Sequence, residues 1–205
     1  MRRTKEEAEV TRKTLLEAGL RVFSRKGYAD TTLDDIAQEA EVTRGAIYHH
    51  FGGKAELYNH VISDGWERIM PAIHKGISEG SNGLDKLRRS FIYFVKFAVE
   101  DETFRAINEL MLFKTPYSED LEEGMEWKRI GVRGGIQNVT AIVRQGIEDG
   151  SIRDDVRPLD VGIMVITMQN GLVAMWLMDP TLFSITERAE AMAEILFSGL
   201  VPRKR

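Results

Sequence analysis

Apolar residues recur along this chain at helical spacing, with no run that alternates in the manner of a strand and no internal repeat. Within residues 31–51, TTLDDIAQEAEVTRGAIYHHF, Leu33, Ile36, Ala37 and Ala40 fall at i, i+3, i+4 and i+7, one apolar stripe on a helix of about two turns. Thr31 and Thr32 are each followed three residues later by an acid, Asp34 and Asp35, so either can cap the free amides at the start of that helix. After Glu41 and Val42, Thr43 stands where it can cap a second helix, in which Ile47 and Phe51, four apart, point inward. Gly52 and Gly53 permit the reversal that ends it, and Lys54 opens the next helix.

The same periodicity predicts a first long helix from about Lys5 to Lys26, with Leu15, Leu16, Gly19, Leu20 and Phe23 inside and Gly27 as its stop. A connector helix from Lys54 carries Leu57, Tyr58, Val61, Ile62 and Trp66 toward Ile77, and the composition of residues 76–83, GISEGSNG, interrupts helicity near residue 80. Further helices are predicted at about 84–99, 101–113, 118–150, 158–179 and 185–200. Gly131, Gly134 and Gly135 are costly inside the third of these, so a kink or break is expected there. The fold class is therefore all-α: an N-terminal three-helix, helix-turn-helix domain over 1–53, a connector over 54–78, and a larger helical domain over 79–205.

If Ile47 and Phe51 face inward, the opposite face of their helix exposes Arg44, Gly45, Tyr48 and His49: a charge, a small residue that lets a backbone come close, and two planar donors. Such a helix suits the DNA major groove, which is about 12 Å wide, with its N-terminal residues nearest the base edges. At the start of the next helix, Lys54 joins free amides and a helix dipole that favour an anion, and a phosphate fits there.

These residues resemble a known family. From about Thr11 to Tyr58, through AGLRVFSRKGY, TTLDDIAQEA, VTRGAIYHHF and KAEL, the chain looks like the N-terminal domain of the TetR family of bacterial transcriptional regulators, without gaps. The resemblance implies a three-helix DNA-binding domain, a variable all-helical effector domain, and a homodimer on a palindromic double-stranded operator. Position by position it implies base reading at Arg44 and Gly45, and phosphate contacts at Thr32, Thr43, Tyr48, His49, His50 and Lys54. It also implies that the last two helices pair with their copies, which gives Trp176, Met192, Leu196 and Leu200 as dimerisation candidates. RAINELMLFK with YSEDLEEG, and NGLVAMWLMDP, are similar to the multidrug-efflux regulators of this family, the AcrR and TtgR type, which implies an apolar or aromatic small-molecule effector.

The second half is rich in aromatics and methionine, with amides set among apolar runs, and cavities of that make hold small molecules. Phe94, Phe97, Asn108, Met111, Trp127, Gln137, Met168 and Gln169 are the candidate effector contacts. Ligand binding is expected to shift the connector helix that carries Trp66.

Charge weakens the DNA reading in one respect. Residues 1–60 hold ten basic side chains (Arg2, Arg3, Lys5, Arg12, Lys13, Arg21, Arg25, Lys26, Arg44, Lys54) and ten acidic ones (Glu6, Glu7, Glu9, Glu17, Asp30, Asp34, Asp35, Glu39, Glu41, Glu56). That balance predicts a shallow salt dependence, with hydroxyls, helix N-termini and an Arg2, Arg3 and Lys5 arm supplying backbone contacts.

An apolar content of 43% is ordinary for a globular chain, and the absence of cysteine suits a reducing compartment, so a cytoplasmic location is expected. Residues 161–178 approach the length of a membrane span, but Gln169, Asn170 and two glycines interrupt them and acids flank them, so a bundle helix and no membrane is the expectation. No phosphate-cradling glycine loop, GxSxG, HExxH or calcium loop is present, and the adjacent His49 and His50 project about 100° apart on a helix. No enzyme, cofactor or metal site is expected. A DNA-binding regulator without an effector, a helical ligand-binding protein and an enzyme stay open as alternatives.

Overall fold

Local chemistry sets most helix ends. In the computed structural model, which describes residues 5–116 and 121–203 (69, 72, 123–125, 127 and 128 by backbone alone), the described residues form nine helices and no strand. They are α1 (Lys5–Asp30), α2 (Leu33–Glu39), α3 (Arg44–Phe51), α4 (Lys54–Ser78), α5 (Gly83–Glu100), α6 (Glu102–Phe113), α7 (Glu122–Glu148), α8 (Pro158–Met178) and α9 (Ile185–Ser198). Asn82 caps α5 through Asp85, and Ser184 caps α9 through Glu187. Thr32, not Thr31, caps α2. The Thr31 hydroxyl is buried and donates to the Gly27 carbonyl at 2.6 Å, while Thr32 and Asp35 form a reciprocal capping box.

The chain divides into two compact units, Met1–Arg68 with Thr103–Met125, and Ile69–Glu102 with Glu126–Arg205. In the first, α1 to α3 and the start of α4 enclose Leu15, Val22, Phe23, Ile36, Ile47, Leu57 and Tyr58. Phe23, Tyr28 and Tyr58 form an aromatic triangle with ring centroids 5.1 to 5.9 Å apart. Helical geometry breaks at Gly27, with φ 78°, and one more turn carries the chain to Asp30. The end of α6 is fastened to this break: the Tyr28 amide donates to the Lys114 carbonyl at 3.0 Å, and the Lys114 ammonium donates to the Ser24 carbonyl at 2.6 Å. The Trp66 ring meets Phe104 edge-on at 5.0 Å.

The second unit is built on Leu87, Phe91 and Val95 of α5, Val139 and Val143 of α7, Val165 of α8 and Phe197 of α9. Helices α5 and α7 approach so closely that a Cβ on Gly83 would lie 2.2 Å from the Gly146 Cα. The expected break at Gly131, Gly134 and Gly135 does not occur, and α7 runs unbroken from Glu122 to Glu148. Each glycine costs a helix about 1 kcal/mol, but the buried Val139 and Val143 hold the helix against its neighbours, and packing outweighs propensity.

By length and composition α8 is apolar enough to cross a membrane, yet only 28% of its most apolar window is buried. Its outward residues include Leu159, Ile163, Met164, Met168, Met175 and Met178, and α9 adds Ile195 at 78% exposure.

Candidate nucleic-acid interface

Backbone bonds close the turn between α2 and α3. The Val42 amide donates to the Ala37 carbonyl at 2.9 Å and the Glu41 amide to Gln38 at 3.2 Å, the two bonds of a Schellman ending. That ending puts Glu41 in the left-handed region, with φ 54°, where glycine is the usual occupant. Two steps later Thr43 is the N-cap of α3, with no side-chain cap hydrogen bond, so its exposed hydroxyl does not serve the helix start. Ile47 and Phe51 are buried, which turns Arg44, Gly45, Tyr48 and His49 outward.

Arg44 is half exposed and held at two points: Nη1 donates to the Asp34 carboxylate at 3.3 Å and Nη2 to the Tyr48 hydroxyl at 3.0 Å. Gly45 faces open space, since a Cβ there would meet only the Thr43 Oγ1, at 3.8 Å. A groove wall can therefore approach the α3 backbone at this position. His49 is exposed and His50 half-buried, their rings 5.2 Å apart, and both line an open cleft of about 770 Å³ with Ala8, Glu41, Val42, Thr43 and Ala46.

Besides Tyr48, whose hydroxyl accepts from Arg44, the sequence-predicted phosphate contacts Thr32 and Lys54 are engaged within the chain. Thr32 is exposed, but its hydroxyl accepts from the Asp35 amide at 3.1 Å and lies 2.8 Å from the Asp35 carboxylate. The Lys54 ammonium donates to the carbonyls of Tyr28 and Thr31 at 3.0 Å each and of Ala29 at 3.4 Å, and sits 4.4 Å from the Tyr28 ring centroid. Its three protons serve the loop that joins α1 to α2. Of the expected basic arm, Arg2 and Arg3 lie outside the described residues, and Lys5 is the exposed first residue of α1.

Much of the unit's charge is consumed in fixing it. The Lys26 ammonium, 2.6 Å away, and the Thr32 amide and hydroxyl hold the Asp35 carboxyl far below the usual carboxylate range. Arg21 and then Arg25 lower Glu39 in the same way, tying α1 to α2.

An exposed, pre-positioned arginine on a short helix, buttressed by a capped helix and a tight turn, is the arrangement of a major-groove reader. Residues 15–61 match the family model for bacterial regulatory proteins of the tetR family, and residues 82–201 match that for the C-terminal region of MAATS-type transcriptional repressors. The chain belongs to the TetR family. It is similar to the probable HTH-type transcriptional regulator ArpR of Pseudomonas putida, 31% identical over 189 residues, 88% of this chain and 86% of that protein. It is also 31% identical over 186 residues to the HTH-type transcriptional regulator TtgR, likewise of Pseudomonas putida, with the same coverage. Among solved structures, that of NalD, described as the secondary repressor of the MexAB-OprM multidrug efflux pump in Pseudomonas aeruginosa, aligns with a TM-score of 0.83 at 28% identity. The alignment covers 98% of this chain and all of that one. This TetR-family chain is accordingly a DNA-binding transcriptional regulator.

The effector candidates fall in both compact units. Asn108 and Met111 belong to the first; Asn108 is buried and its amide donates to the Phe104 carbonyl at 2.8 Å. Phe94, Phe97, Gln137, Met168 and Gln169 belong to the second. There Phe94 and Phe97 are half-buried, Gln169 is buried and donates to the Ser90 carbonyl at 3.3 Å, and Gln137 and Met168 are exposed. The Trp127 side chain lies outside the described residues. Of the dimerisation candidates, Trp176, Met192, Leu196 and Leu200 are half-buried against their own unit's core. Sequence reasoning passed over Asp34, read as a cap, as the partner of Arg44, and it did not separate the exposed Met164, Met175 and Ile195 from the buried residues of the same apolar helices. Mapping the periodicity of α8 onto a buried and an unburied side would have flagged those methionines.

Proposed function

We propose that this protein is a homodimeric repressor that occupies a palindromic operator and leaves it when an apolar or aromatic small molecule binds. Residues 1–53 contact DNA, 54–78 connect, and 79–205 take the effector and dimerise; the two matched family regions, 15–61 and 82–201, support separate N-terminal and C-terminal parts. The observation that carries the reading is Arg44, exposed at the first turn of α3 beside an open Gly45. Thr43, Tyr48, His49 and His50 supply phosphate contacts around it, Tyr48 while accepting from Arg44, and Thr32 and Lys54 reach a phosphate by releasing or sharing their present partners.

The relative described as repressing a multidrug efflux pump supports an efflux operon as the target. Phe94, Phe97, Asn108, Met111, Trp127, Gln137, Met168 and Gln169 are the proposed effector contacts. The edge contact of Trp66 with Phe104, inside the unit that holds the helix-turn-helix, supports transmission through α4. A coupling of about 1 to 3 kcal/mol makes a useful switch. Neither catalysis nor a cofactor enters this reading, and the site of action is the cytoplasm, where the chromosome lies.

Selection of bound duplexes from a random pool by the purified protein, followed by sequencing, tests it. The expected product is a palindrome with half-sites about one turn, 34 Å, apart. Enriched duplexes that no aromatic compound in a panel displaces would leave a regulator without an effector. No enrichment would overturn the operator reading.

A further inference from the structure

Three acids crowd the N-terminal unit's second helix, and two are accounted for by the fold. Asp35 closes the capping box and pairs with Lys26, and Glu39 pairs with Arg21 and Arg25. Asp34 does neither. Its side chain is 70% exposed, and its partner is the Arg44 guanidinium, ten residues on and across the turn. A carboxylate there stands among the groups that face DNA, where phosphates repel it whatever the sequence.

We propose that Asp34 is a specificity-determining residue that acts through Arg44, a role that rests on the operator reading above. A free arginine side chain carries substantial rotamer entropy and bonds as readily to a phosphate as to a base. Here two contacts fix it: Asp34 takes an N–H from Nη1, and Tyr48 takes one from Nη2 and lies under the guanidinium, whose carbon is 5.6 Å from its ring centroid. Of the five N–H donors, three remain for a base edge. Arg44 is thereby presented to a base that offers matching acceptors, and kept from swinging to the backbone.

On a matching duplex the guanidinium compensates the carboxylate and satisfies the base together. On any other duplex the unmet donors and the repelled carboxylate both oppose binding. Asp34 works as an element against wrong sequences, at the cost of affinity for duplexes that leave the Arg44 donors unmet.

The test begins with the duplex that the wild-type protein enriches from a random pool. Affinities for that duplex and for a scrambled one are then measured at one salt concentration for the wild type, Asp34→Asn, Arg44→Ala and the double variant. Asp34→Asn is expected to bind the scrambled duplex more tightly, the selected duplex nearly as before, and so to lose about tenfold in the ratio of the two. In the Arg44→Ala background the same substitution is expected to leave the ratio unchanged, because its effect passes through the arginine.

Equal tightening on both duplexes would reduce Asp34 to a charge near DNA and overturn the proposal. So would a ratio that falls equally without Arg44. An unchanged urea midpoint in Asp34→Asn separates these results from misfolding, and Asp34→Glu, which returns a carboxylate to the same helix turn, is expected to recover part of the ratio. If the wild-type protein enriches no duplex, the operator reading fails first and the proposal falls with it.

Discussion

Arg44 and Lys54 carry the same charge and open successive helices, but their surroundings give them different tasks. Arg44 projects from the surface with two of its five donors engaged, whereas the Lys54 ammonium is saturated by three backbone carbonyls of the α1 to α2 loop. Arg44→Ala is expected to leave the unfolding transition in place and to lose about 1 to 3 kcal/mol of discrimination at one operator position. Lys54→Ala is expected to do the reverse: about 2 kcal/mol of stability lost, since charged hydrogen bonds to carbonyls disappear, with sequence preference retained. Urea denaturation and binding to single-base operator variants check the pair together. Two variants with the same profile in both measurements would show that the division of labour is wrong.

At the scale of the element, the helix-turn-helix holds one strained residue and one acid-sensitive cap. Glu41 sits at φ 54° because the Schellman ending of α2 requires it, and a side chain there costs about 1 kcal/mol relative to glycine. Glu41→Gly is therefore expected to raise the urea midpoint slightly, despite the greater freedom it gives the unfolded chain. Asp35 sets the pH response. Its carboxyl is depressed in the folded state by Lys26 first and then by the Thr32 amide and hydroxyl, so its contribution is complete above the ordinary carboxylate range and is lost as pH falls toward the lower folded value. Glu39 moves in the same direction. Stability is expected to fall on acidification below about pH 4, and Asp35→Asn to start less stable but lose less over that range. Denaturation at several pH values decides it.

The capping and turn signals were legible in the sequence because they are local: Thr32 and Asp35 lie three apart, and Gly27 and Gly52 mark the ends of long and short helices. What was not legible depends on distance along the chain. The carbonyls that hold Lys54 lie 23 to 26 residues before it, and the Ser24 carbonyl that accepts from Lys114 lies 90 residues away. Three glycines inside α7 read as a break because propensity is local, while the packing that keeps the helix continuous is not.

For the whole molecule, the outer face of α8 and α9 poses the remaining question. Large apolar side chains exposed along a helix call for a partner surface, and a helix with 28% of its apolar window buried is poorly explained as core. Its acids and amides disfavour a bilayer, and two-fold pairing of helices is the economical way to cover a self-complementary patch. Trp176, Met192, Leu196 and Leu200 are half-buried against the core, and Met164 of α8 and Ile195 of α9 are 59% and 78% exposed. Replacing both with glutamate is expected to turn a dimer into a folded monomer by sedimentation, since neither side chain belongs to the core of a single chain. Operator affinity is expected to drop by about two orders of magnitude, because two linked half-sites bind far more tightly than one. Half-site recognition by Arg44 is expected to survive, so the monomer should still prefer a matching half-site over a scrambled one at high protein concentration. A wild-type protein that sediments as a monomer and still binds the full palindrome tightly would place the dimer contact elsewhere or remove it from the mechanism.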